Sequence, residues 1–292
     1  MDKTITGSMK IRQTSRYGSF LGKYWLLLVT IVLAIAFGVL RPAFFRPKNL
    51  LNILSSACLT GIAGLGITCI SAAGETDFSI GAQVTFSATM MAVLLKMPIF
   101  HDQYLLVMLI TLLLMVLFGS FNAFLHIYVG IPAFIATMGS SYLLNGLSKL
   151  ILDMKTIRAD PTWPSCFTFL GQTYLGGVLP VSLVILIVIS VAMYLYTEKT
   201  YSGRFIFAVG ANPDACRYMG IREQTQKFKG FILCALMGGL TGIITGSMQN
   251  GANPTMGDDM LFNAMSVLQT RCNGKMPTNC RRASRRRYPC TT

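Results

Sequence analysis

Between Lys48 and Lys96 the sequence carries only two formal charges, Glu75 and Asp77, and both fall in one short polar break. The break reads Gly74-Glu75-Thr76-Asp77-Phe78-Ser79-Ile80-Gly81. An apolar run precedes it at 50–73 and another follows at 78–95. Charge-free runs of that length suit helices in hydrocarbon, where a helix satisfies its own backbone hydrogen bonds. A carboxylate there is expensive and is rarely left without a use. Gly74 and Gly81 bracket the acids and let the backbone turn or approach a neighbour closely. A polar, glycine-flanked interruption between apolar segments is the pattern of a discontinuous helix at a transport site. The expected fold is therefore an all-α polytopic membrane protein with a discontinuous helix near residues 74–81.

Charge narrows the class further. Charged residues are 12% of the chain, about half the ~25% of soluble domains. The apolar runs are long and continuous rather than alternating, which sets aside a β-barrel. The net charge is +14, but residues 271–292 hold seven of the basic residues and no acid. What remains reads as loop lysines and arginines that fix membrane topology, so no nucleic-acid partner is expected. Eight cysteines are scattered without a C-x-x-C pair, and Cys58, Cys69 and Cys234 read as small core residues. No metal or cofactor site is expected. The first apolar run is followed by Arg41-Pro42 rather than a small-residue cleavage site, so it reads as a retained helix.

In chain order, residues 1–23 form a polar, basic tail expected in the cytoplasm. Helices are expected at about 24–40, 50–73, 78–95, 104–128, 132–150, 178–196 and 230–249. Proline at 42 ends the first. Gly61, Gly64 and Gly66 suit close helix contact in the second. Residues 198–229 form the longest charged segment before the tail, with a basic excess that places it in the cytoplasm. Six spans from a cytoplasmic N-terminus return the chain to that side, which outweighs Arg41, Arg46 and Lys48 on the other. Another apolar run starts at 260–268 and is too short to span alone. From 269 to 292 the composition turns abruptly to Arg, Cys, Thr and Pro.

Three stretches together resemble the permease subunit of bacterial ABC importers for ribose and other simple sugars, within the branched-chain amino acid/ribose permease superfamily. The break resembles that family's Gly-Gly-Ile-Asp-Leu-Ser-Val-Gly, with Asp77, Ser79 and Gly81 in agreement and Glu75 and Thr76 departing. Ile131-Pro132-Ala133-Phe134-Ile135-Ala136-Thr137-Met138-Gly139 is similar to its Val-Pro-Ser-Phe-Ile-Val-Thr-Leu-Gly. Gly203-Arg204, then Ala208-Val209-Gly210-Ala211-Asn212-Pro213, then Ala215, Gly220 and Ile221 resemble its cytoplasmic loop. Order and spacing hold over roughly residues 24–268. The resemblance implies a type II ABC importer-like permease domain at 24–268, multi-pass in the bacterial inner (plasma) membrane with its N-terminus cytoplasmic. It implies ATP-binding cassette ATPase subunits, a periplasmic or lipid-anchored sugar-binding protein, and a second permease subunit as homo- or heterodimer, all in membrane lipid. Family members continue past 268 with further helices, so 269–292 reads as an aberrant, out-of-frame tail on a truncated chain.

Each candidate residue carries two readings. Glu75, Asp77, Ser79 and Gln83 are candidates for the substrate path, because hydroxyl-rich ligands want carboxylate and hydroxyl partners. Alternatively Thr76, Asp77 and Ser79 open the next helix as caps, and Glu75 faces water or a helix N-terminus and stays ionised. His126 reads as a satisfied interfacial histidine and His101 as solvated; Asn122 and Asn145 suit hydrogen bonds between helices. Arg204, Gly210, Asn212, Pro213, Ala215, Gly220 and Ile221 are the candidate coupling surface for the ATPase. There Asn212-Pro213-Asp214 starts a short helix and Gly220 stops it.

No catalytic residue is expected. The sequence has no Gly-x-x-x-x-Gly-Lys-Ser/Thr, so ATP hydrolysis belongs to a partner, and no Gly-x-Ser-x-Gly or His-Glu-x-x-His occurs. The rival readings are a proton-coupled secondary carrier using Glu75 or Asp77, an intramembrane enzyme, and an inactive truncated permease fragment.

Overall fold

The computed structural model describes residues 16–100, 103–159, 163–176 and 179–272. The expected basic end beyond 272, the first residues of the N-terminal tail and His101 lie outside them.

Two compact units divide between Asn52 and Ile53. The first holds α1, Arg16–Leu40, and a single 3-10 turn, Pro42–Phe45. Helix α1 reaches back into the segment expected as polar tail, and Arg41-Pro42 ends it. Phe44 stacks on Phe37 at 6.3 Å and meets Phe45 edge-on at 5.3 Å. Helix α2, Pro47–Ala72, starts with proline at a first-turn position, where the missing N–H is harmless.

The second unit is helical almost throughout. After the break come α3 (Ile80–Lys96), α4 (Tyr104–Ile127), α5 (Ala133–Ile151), α6 (Ser165–Gln172), α7 (Val181–Lys199), α8 (Tyr201–Ala211), α9 (Pro213–Tyr218), α10 (Glu223–Met248) and α11 (Met260–Cys272). Two short antiparallel pairings complete it. Ile157–Arg158 pairs with Gly251–Ala252, and Tyr174–Leu175 with Leu179–Pro180.

Among the described residues, α2, α4, α7 and α10 are long and apolar enough to cross a membrane, while Leu27–Leu40 and Ile80–Lys96 are shorter apolar helices. Helix α3 is short because it begins only after the break. The segment 198–229 contains α8 and the first turns of α10 as well as the short helix expected from Asn212-Pro213, which is α9.

Helix α10 is the axis of the second unit. In its most apolar window 72% is buried, against 17% for α7. Its neighbours follow from small residues that let backbones close in. Gly66 of α2 sits on Cys234 and Met237, and Gly119 of α4 on Phe231 and Ala235. On α3, the Ser87 hydroxyl donates to the Gly239 carbonyl at 3.1 Å. One cluster, Ile67, Ile70, Ile80, Ala123, Ala133, Phe231, Cys234 and Ala264, joins α2, α3, α4, α5, α10 and α11. Neighbouring numbers rise together along α3 and α10 (Gln83 by Gly238, Ala88 by Gly246), so those two helices run parallel.

Between α10 and α11 the chain turns back on itself. Gly257 donates its N–H to Thr85 Oγ1 at 2.9 Å, and a side chain on Gly81 would meet the Gly257 carbonyl at 2.6 Å. A non-helical turn thus lies against the first turns of α3, at the level where α3 meets Gly238 of α10.

Candidate functional site at the helix break

The break at 73–79 is built from two kinds of polar contact, one near its start and one at its end. At its start, Glu75 is 16% exposed and pairs with Lys227 Nζ at 2.7 Å and His126 Nε2 at 3.1 Å. The other nitrogen of His126, Nδ1, lies 2.9 Å from the Ile131 carbonyl. The sequence reading has Glu75 facing water or a helix end. Instead it ties the break to α10 and α4, because both those helices present a basic side chain at the same level. His126 is satisfied, as expected. In the sequence Lys227 reads only as loop charge, and nothing local marks it as a partner of Glu75.

At the end of the break, Asp77, Ser79 and Gln83 are wholly buried. Asp77 Oδ1 accepts from the Ser79 backbone N–H at 2.7 Å and from its hydroxyl at 2.5 Å. The carboxylate therefore folds the chain into the turn that opens α3, while Ser79 occupies the position before the helix without capping it. The Ser79 oxygen also accepts from Gln83 Nε2 at 2.8 Å and Asn122 Nδ2 at 3.0 Å. Ser140 of α5 then donates to Asn122 Oδ1. Asn122 thus bonds between helices as expected. Among the described residues, Asp77 Oδ2 and Gln83 Oε1 are buried without partners, and Asp77 has no ion pair.

Phe78 points the other way. Its backbone N–H donates to Thr137 Oγ1 at 3.1 Å, and its ring meets Phe134 edge-on at 5.0 Å. Asn145, expected to bridge helices, leaves its Oδ1 buried and unpartnered among the described residues. It lines, with Phe78, Gly81, Ser141, Gly257 and Asp258, a cavity of about 230 Å³. The sequence reading does not single out Phe78, Ser141 or Asp258. Only the spacing of Phe134, Thr137, Ser141 and Asn145 along one face of α5 could have signalled them.

The candidate coupling residues gather on α8 and α9. Thr200 caps α8 by accepting from the Gly203 N–H at 3.1 Å, and Arg204 lies 5.0 Å from the Tyr201 ring centroid. Asn212 caps α9 by accepting from the Ala215 N–H at 3.1 Å, with Pro213 as the first helical residue. Gly220, at φ +77°, ends it, and the Ile221 N–H returns to the Cys216 carbonyl at 2.9 Å. That 6→1 bond is the Schellman closure that glycine permits. Tyr218 and Met219 beside it are 93% and 68% exposed. Arg217 pairs with Glu223, and that carboxylate raises the guanidinium's proton affinity.

Gly210 connects the two regions. It lies so near the end of α2 that a side chain on it would collide with the Ala72 carbonyl and meet the Gly74 nitrogen at 3.0 Å. Lys229 of α10 donates to Ser202 of α8 at 2.8 Å. Helix α8 therefore touches both the break and α10.

The chain matches a family model described as branched-chain amino acid transport system / permease component over residues 49–268. It is 30% identical over 246 residues to the autoinducer 2 import system permease protein LsrD of Enterobacter sp. (strain 638), covering 82% of this chain and 74% of that one. It is 29% identical over 243 residues to the probable ABC transporter permease protein YphD of Escherichia coli (strain K12), at 83% and 71% coverage. The ribose import permease protein RbsC of Haemophilus influenzae is 29% identical over 266 residues, at 89% and 80% coverage. No solved structure matches the chain.

Proposed function

The chain belongs to the family of branched-chain amino acid transport system / permease components, and from that premise we propose that it is the membrane-crossing subunit of an ATP-driven importer for a simple sugar such as ribose. As a member of that family it is a permease, not an enzyme. A relative named for ribose import supports a sugar cargo, and one named for autoinducer 2 import supports a small-molecule cargo. In this reading, ATP-binding cassette ATPases drive the chain, a periplasmic or lipid-anchored binding protein delivers the sugar, and a second permease subunit completes the path. The basic excess at 198–229 supports placing that segment, and with it the N-terminus, in the cytoplasm.

The observation that carries the proposal is the seating of Gly210 on the Ala72–Gly74 backbone. Packed backbones transmit displacement with little compliance. A push on the exposed edge of α9 reaches the break through α8 without passing through flexible side chains. Arg204, Gly210, Asn212, Pro213, Ala215, Gly220 and Ile221 are assigned to that coupling unit. Asp77, Ser79 and Gln83 brace the end of the break, while Glu75, held by Lys227 and His126, positions its start. Occupation of Glu75 by a cation argues against its use as a free proton relay.

Energisation decides between this and a proton-coupled carrier. Sugar uptake by vesicles holding the permease, its ATPase and its binding protein should stop on ATP depletion and persist when the proton gradient is collapsed. The reverse pattern overturns the proposal. A cysteine at 219 should cross-link to the ATPase, and failure to do so in transport-competent vesicles removes α9 as the coupling site.

A further inference from the structure

We propose that the cavity walled by Phe78, Gly81, Ser141, Asn145, Gly257 and Asp258 is the sugar-contacting part of the translocation path. The inference rests on the sugar-permease reading and places the contact on the opposite side of the break from buried Asp77.

Three independent observations converge on this cavity. The first is its wall chemistry. Phe78 offers an aromatic ring, and Ser141, Asn145 and Asp258 offer a hydroxyl, an amide and a carboxylate. A monosaccharide has an apolar C–H face and a rim of hydroxyls, and that wall presents a complement to each. Pockets with a few convergent polar groups on an otherwise apolar lining are the usual form of a small-molecule site. At about 230 Å³ the cavity falls below the ~300–1,000 Å³ of sites for drug-sized ligands, which suits a single sugar ring.

The second is an unmet hydrogen bond. Asn145 Oδ1 is buried with no partner among the described residues, and a buried acceptor left unpaired is unfavourable. Asn145 lines the cavity, so a rotation of its side chain that turns Oδ1 toward a hydroxyl there removes that penalty. Ser141 and Asn145 lie one and two turns beyond Thr137 on α5, and Thr137 already holds the Phe78 backbone. The polar face of α5 is therefore registered on the break.

The third is depth. Gly81 and Gly257 lie beside the first turns of α3, level with Gly238, near the middle of α10. The turn at Gly257 is not helical. Non-helical backbone at that depth persists where protein buries it or where it lines a watery cavity. Interrupted helices beside such backbone are where carriers bind their cargo near mid-membrane.

The test is cysteine accessibility in the full-length chain in lipid nanodiscs. Cys58, Cys69, Cys216 and Cys234 are buried and stay; Cys166, Cys272, Cys280 and Cys290 are replaced by serine. S141C and N145C are made singly and labelled with a cationic methanethiosulfonate, with Q83C as the buried comparison. The probes are D-ribose and L-leucine. Two separate cysteine positions guard against one variant misfolding, and monodispersity on size exclusion checks each.

The expected result is rapid labelling of S141C and N145C, little at Q83C, and a severalfold slowing by D-ribose but not by L-leucine. Labelling that L-leucine alone slows keeps the cavity on the path and overturns the sugar reading. Labelling that neither probe slows overturns cargo contact, because the cavity then holds only water. Absence of labelling at both positions in a monodisperse protein overturns the cavity assignment, while ATP-driven sugar uptake still tests the sugar reading separately.

Discussion

The Ala72 carbonyl oxygen occupies the space where a side chain on Gly210 would begin. Gly210→Val must push α8 away from the break. Overpacking of this kind typically costs about 1–3 kcal/mol. The expected outcome is a folded protein with a modestly lowered melting temperature and little ATP-driven uptake. A G210V variant with wild-type uptake would show that α8 need not touch the break.

The ion pair of Glu75 with Lys227 is 16% and 21% exposed. It lies between the ~0.2–1 kcal/mol of exposed pairs and the ~3–5 kcal/mol lost on breaking buried ones. Lys227→Glu should therefore destabilise by about 1–3 kcal/mol, because it sets two carboxylates face to face as well as removing the attraction. The swap E75K/K227E should recover part of that, though His126 then faces a cation. Melting curves of the two singles and the double, read as a double-mutant cycle, measure the coupling; a coupling near zero removes the pair as a tie between break and α10.

Asp77 has one oxygen fully used and one without a partner among the described residues. Asp77→Asn keeps the accepting oxygen and removes a charge from the buried core, so it should fold at least as stably as the natural chain. Asp77→Leu leaves the Ser79 donors unpaired and should cost about 1–3 kcal/mol. Thermal stability in detergent distinguishes them. If D77N is the more damaging of the two, a buried anion is required and the bracing role is wrong.

Asn212→Ala removes the cap of α9, a change usually worth about 0.5–2 kcal/mol of helix stability. The loss is local, because Asn212 is exposed. Limited proteolysis should cut faster near Arg217 and Arg222 while the melting temperature barely moves. Asn212→Ser should restore protection; unchanged cleavage in N212A would mean that α9 is held by packing rather than by its cap.

Much of this protein is legible locally. Charge-free runs mark where α2, α4, α7 and α10 lie, and Pro42 and Pro213 mark helix borders, since proline removes a donor and fixes φ. The α9 cap and its glycine stop are readable because capping acts over three or four residues. The features that sequence misreads are those with distant partners. Residues 198–229 read as a charged segment with one short helix at 213, yet they also form α8, whose Gly210 lies against the break. Asn145 reads as interhelical glue, yet its amide oxygen has no partner among the described residues and the residue lines a cavity.

Hydropathy and backbone chemistry are properties of short stretches, so residue order alone established the helical membrane class, the interrupted segment at 74–81 and the short capped helix at 213–218. Folding in three dimensions decided which groups meet: Lys227 with Glu75, Asn122 with Ser79, Gly257 with Gly81. Those pairs are separated by dozens to well over a hundred residues, and small residues such as Gly119, Gly230 and Gly257 let the backbones that carry them approach closely. The position of each polar side chain relative to its neighbour is then set by helix packing, which no local pattern encodes.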